Sequence, residues 1–89
     1  MRKLLSEAAE RAIRYVEGLD ARGVAPVPAA IERLKEWEEL LADEPTDPET
    51  VVALLDEIGS PATMAMAGPR FFGFVTGGAL PAALAANWL

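Results

Sequence analysis

Side chains able to move protons or bind metals are scarce in this chain. It has no histidine and no cysteine, which removes the commonest general base, the commonest metal ligand and thiolate chemistry together. The carboxylates Glu36, Glu38, Glu39, Asp43 and Glu44 are dense enough to suggest a cation site or a carboxylate pair. Without histidine among them they read as the solvated face of a helix. Lys3 falls in the first turn of an amphipathic helix and Lys35 on a charged face. Neither is desolvated enough to serve as a Schiff-base lysine. The few hydroxyls have no base beside them, so no nucleophile–base pair is expected. The chain therefore reads as one without catalytic, cofactor-binding or metal-binding residues of its own.

Two further patterns remain. Gly77-Gly78 precedes a proline-started helix, an arrangement that can cradle an anion on backbone amides. It matches neither the P-loop nor the dinucleotide fingerprint, and no lysine follows. A tight turn requiring positive φ is the simpler reading. The second pattern is Phe71-Phe72-Gly73-Phe74-Val75. Alternation sends Phe72 and Phe74 to one side and Phe71 and Gly73 to the other. So short a chain has little core to bury both, so one side is expected to meet another surface.

The elements that must position these residues are legible from periodicity. A first helix over about Arg2–Leu19 carries an apolar stripe of Leu5, Ala8, Ala12, Tyr15, Val16 and Leu19. Val24–Pro28 must be extended, because each proline pushes its predecessor out of the helical region. A second helix starts at Pro28 or Ala29 and runs to about Ala42, with Ile31, Leu34, Trp37 and Leu41 as its apolar side. Asp43-Glu44-Pro45 stops it. A third begins at Thr46-Asp47-Pro48-Glu49, either as a capping box on Thr46 or with Asp47 as cap and Pro48 at the first helical position. Val51, Val52, Leu54, Leu55 and Ile58 line it, and Gly59 stands where a left-handed C-terminal cap belongs. Residues 60–68 are ambiguous, 71–75 form a brief strand or an extended loop, and Pro81 opens a fourth helix. The fold class is mainly α, divided into a helical segment 1–60 and an aromatic, glycine-rich segment 61–89.

Charge follows the same division. The net charge is −6, and every aspartate and glutamate lies in residues 1–60, while Arg70 is the one charge beyond them. No basic stripe exists for a polyanion, so nucleic acid is not an expected partner. Glu7, Glu10 and Arg11 interrupt any signal-peptide apolar run. The uncharged stretch after Arg70 is broken by Gly73, Gly77, Gly78 and Pro81, which argues against a membrane span. Without cysteines the cytoplasm is the favoured compartment. The apolar end of the sequence, without a cap or a polar turn, suggests the front part of a longer protein.

Pro69-Arg70-Phe71-Phe72-Gly73-Phe74-Val75, Gly77-Gly78 and Pro81-Ala82-Ala83-Leu84-Ala85-Ala86-Asn87-Trp88-Leu89 together resemble the N-terminal region of the pyridoxal-phosphate-dependent group II amino-acid decarboxylases. The order of the upstream helices, the Val24-x-Pro26 step and the Asp47-Pro48 start agree with that resemblance. It covers essentially the whole chain but only about the first fifth of such an enzyme. It implies the N-terminal part of a fold-type-I subunit, with pyridoxal phosphate held by a later domain. It also implies an amino-acid substrate, a carboxy-lyase reaction, and a homodimer clasped by the N-terminal helices. Phe74, Val75 and Thr76 match positions that line the substrate pocket in such enzymes, the threonine touching substrate. Here the loop is one residue shorter, Val75 replaces an aromatic, and Asn87 stands where relatives commonly carry aspartate. A stand-alone helical interaction module is the alternative expectation, and a transaminase-like enzyme on the same cofactor fold a third.

Overall fold

The computed structural model describes residues 1–37 and 43–89. Helix α1 spans Arg2–Gly18, α2 spans Pro28–Glu32, α3 spans Pro48–Leu54 and α4 spans Pro81–Ala86. A 3-10 turn over Arg33–Trp37 extends α2, and α3 continues through a π-type turn over Leu55–Gly59 into a 3-10 turn over Ser60–Ala62. No strand occurs among the described residues, so the mainly α expectation holds and 71–75 is a loop. Among the described residues proline sets three of the four α-helix starts: Pro28, Pro48 and Pro81 each occupy the first helical turn, where the missing N–H is not needed. Asp47 is the N-cap of α3, but its side chain makes no capping hydrogen bond. The expected continuation of the second helix to about Ala42, with Leu41, Glu38 and Glu39, falls on residues outside the described ones.

Gly59 corrects one expectation. Its φ of −72° is right-handed, so it does not end the helix with a left-handed cap. A Cβ there would lie 2.7 Å from Cη2 of Trp37. The glycine leaves room for the indole, and Trp37 thereby docks the turn after α2 against the end of α3.

The apolar stripes are only half covered. Among the described residues the buried apolar side chains are Leu19, Ala30, Ile58, Ala65 and Phe71. Leu5 and Val16, expected on the buried side of α1, are 59% and 39% exposed, and Ile31, Val51, Leu54 and Leu55 are exposed too. The accessible surface is 7161 Å², against about 5,000 Å² for a closed domain of this mass. The Cα radius of gyration is 14.9 Å, against about 12 Å for a compact chain of this length. Short helices joined by brief connections present one stripe each and lack a common centre to bury them all.

Polar contacts therefore matter unusually. Arg11 of α1 donates to Asp56 at 2.7 Å, with Arg14 at 3.8 Å from the same carboxylate oxygen and Glu57 3.9 Å from Arg11. The Arg11 and Asp56 side chains are 24% and 30% exposed, so solvent screens them less than a fully exposed pair. Replacing Asp56 with alanine removes the ion pair joining α1 to the end of α3. Its loss should lower stability by about 1 kcal/mol. Thermal unfolding followed by circular dichroism checks this, and an unchanged midpoint would show that the pair contributes nothing.

Candidate functional site

Residues 68–78 form a closed loop on the C-terminal turn of α1. The Gly78 N–H donates to the Gly68 carbonyl at 3.3 Å, joining the two ends, and the Phe71 N–H donates to the same oxygen at 3.4 Å. Phe71 is 6% exposed and packs beneath the loop. A Cβ on Gly73 would lie 2.8 Å from Cζ of Phe71, and one on Gly77 would lie 2.8 Å from the Phe71 carbonyl oxygen. These glycines let the main chain fold tightly around one buried ring. Gly78, at φ +75°, supplies the left-handed turn expected of the glycine pair.

The tip has the opposite character. Phe72, Phe74 and Val75 are 92%, 89% and 107% exposed. The separation expected from alternation, Phe71 on one side and Phe72 with Phe74 on the other, is observed, and the structure makes Phe71 the inward one. It does not come from an extended strand, because Phe74 and Val75 have φ of 55° and 56°. That left-handed region costs about 1–2 kcal/mol per residue with a Cβ, and a β-branched side chain is rarest there. The Thr76 N–H and its hydroxyl both donate to the Gly73 carbonyl at 3.0 Å, closing a turn around the two strained residues. No side-chain burial offsets the strain.

The loop thus brings Phe74, Val75 and Thr76 together at one exposed tip. It does not enclose them, and none of the three lines the apolar trough elsewhere on the surface. That trough, of ≈ 290 Å³, runs between α1 and α4 and is lined by Ile13, Val16, Ala79, Leu84 and Trp88 among others. Residue types in the α4 segment had not indicated that its apolar side would lie along Ile13 and Val16. The period of α1 contains the signal, since Ile13 and Val16 are three residues apart on one face.

The remaining candidate groups are surface ion pairs. Lys3 lies 3.7 Å from Glu7 and Lys35 2.7 Å from Glu32, with both lysine side chains well exposed. Glu36 accepts from Arg33 Nε at 2.9 Å, and this bond with the adjacent negative charge raises the Arg33 pKa above its usual value. Among the described residues no cluster of acidic side chains could hold a metal ion. Nor is any helix there long and apolar enough to cross a membrane. No protein-family model matches the chain, and no curated protein or solved structure shows a significant likeness to it.

Strain at a fully exposed valine has a measurable consequence. Val75→Gly removes the left-handed penalty and loses no packing, while the greater freedom of glycine in the unfolded chain cancels part of the gain. A net stabilisation of about 1 kcal/mol is expected. A thermal or urea midpoint that stays the same or falls would show that the left-handed backbone is not the conformation held in solution.

Proposed function

We propose that this chain is the N-terminal segment of a pyridoxal-phosphate-dependent amino-acid decarboxylase and contributes pocket wall and dimer contacts to that enzyme. The observation that carries the reading is the coincidence of two independent features at Phe74, Val75 and Thr76. These are the positions that the family resemblance places against substrate, and they form the strained, outward-facing tip of an otherwise tightly anchored loop. Strain that the surrounding packing does not reward concentrates at functional sites. The surplus of exposed apolar surface supports the same reading, since covering Phe72, Phe74 and Val75 needs another surface.

The residues present do not fit the cofactor itself. Both lysines are exposed and paired with glutamates, and no histidine exists to stack on a ring. The cofactor-holding groups therefore belong, on this reading, to a part of the enzyme beyond these residues. An apolar, glycine-lined wall would keep water away from the reacting carbon. The substrate class is an amino acid, the assembly a homodimer, and the compartment the cytoplasm.

The apolar trough between α1 and α4 favours a second reading, a helical interaction module without enzymatic activity. The two readings separate on one experiment. The chain by itself should bind no pyridoxal phosphate and release no carbon dioxide from amino acids. The complete enzyme that contains it should show the visible absorbance of the bound cofactor and decarboxylate an amino acid. In that enzyme Phe74→Ala should lower kcat/KM by about tenfold or more, the loss of one well-packed contact, with an unchanged thermal midpoint. Equal activity of the variant would remove Phe74 from the pocket. A complete protein without bound cofactor would favour the interaction module.

A further inference from the structure

We propose that Arg70 is the positioning residue of the 68–78 loop, acting through main-chain carbonyls rather than through a charge partner. Arg70 is the one charged residue of segment 61–89, and residue type alone would assign it to an anion. Its Nη2 instead donates to the Asp20 carbonyl at 3.0 Å and to the Arg22 carbonyl at 2.6 Å. Both acceptors lie in the turn that follows α1, outside the helix ladder, where each carbonyl needs a donor of its own. A guanidinium satisfies this need well, being always charged and rich in donors.

The receiving turn is itself held from the other side. Arg22, whose carbonyl accepts from Arg70, uses its own Nη2 to donate to the Ser60 and Thr63 carbonyls, each at 2.7 Å. Its guanidinium also lies 5.3 Å from the centre of the Tyr15 ring, within cation–π range. The Ala65 N–H donates to the Val24 carbonyl at 2.9 Å. The loop is thereby joined through Arg70 to the turn after α1, and through Arg22 to the end of α3. Phe71, the next residue, is buried while Phe72 is exposed, so the anchor lies immediately before the point where the chain turns outward. Fixing Arg70 fixes the direction in which the tip projects.

The test uses chymotrypsin under native conditions, with cleavage after Phe72 and Phe74 read by mass spectrometry. Proteases bind an extended backbone, and the left-handed tip must first open to provide one. Arg70→Met keeps the unbranched stem and removes the donors. It should raise cleavage at Phe72 and Phe74 about tenfold, the effect of losing hydrogen bonds to a charged donor. Hydrogen exchange of the Thr76 and Gly78 amides should rise similarly, while cleavage after Tyr15 in α1 stays at its original rate. Arg70→Lys should return the loop toward its original resistance, since an ammonium can also donate to two carbonyls. An unchanged cleavage rate at the tip would overturn the proposal. So would an equal rise at Tyr15, which would make Arg70 a support of the whole fold, or a lysine variant as labile as the methionine one. These measurements read loop order in the chain itself, so the proposal and the decarboxylase reading fail separately.

Discussion

The turn that follows α1 is the junction on which the rest of the structure depends. Residues 19–24 contribute one buried side chain, Leu19, and a set of carbonyls that receive bonds from far along the chain. Arg70 reaches the Asp20 and Arg22 carbonyls, the Ala65 N–H reaches Val24, and Arg22 extends to Ser60 and Thr63. The last carbonyls of α1 are closed locally by the Leu19, Ala21 and Arg22 N–H groups. The carbonyls just beyond them, at Asp20, Arg22 and Val24, take donors from Arg70 and Ala65, so this turn becomes the means of assembly. Most of these bonds are solvent-exposed, so each contributes about 1 kcal/mol, still a useful share where so few side chains are buried.

The same constraint explains the character of the loop. With little core available, Phe71 is the one aromatic of its run that becomes buried, and the glycines around it allow the main chain to close over the ring. Phe72, Phe74 and Val75 then have no room inside. They project together, and the Thr76 bonds to the Gly73 carbonyl hold the backbone in a conformation that Phe74 and Val75 would avoid if free. The loop thus combines a rigid base with an apolar tip that no part of the described chain covers. Such a surface suits contact with something other than its own chain, and the pocket-wall reading begins from it, whereas the interaction-module reading begins from the trough between α1 and α4.

Away from the junction the arrangement is open. Ion pairs between α1 and the end of α3 hold two helices whose apolar stripes meet only partly. Trp37 packs on Gly59 while remaining 40% exposed. Contacts of this kind orient helices without excluding water from a common centre, consistent with the large surface and radius.

Much of the local structure followed from residue types. The prolines at 28, 48 and 81 marked helix starts because a residue lacking an N–H is tolerated there. The period of Leu5 to Leu19 marked α1. That Phe72 and Phe74 would part from Phe71 was legible too, but which side would be buried was not. The separation comes from a left-handed turn rather than a strand. What tertiary structure alone decided were the choices that depend on a distant neighbour. Gly59 looked like a helix cap because caps are local, yet its φ is right-handed and its lack of a side chain serves Trp37. Leu5 and Val16 were expected on the buried stripe of α1, yet both are exposed, because burial requires a partner surface that periodicity does not specify. Arg70 is one residue type with many acceptors open to it. Only the placement of the Asp20 and Arg22 carbonyls within its reach, across some fifty residues of sequence, selected the main chain over an anion.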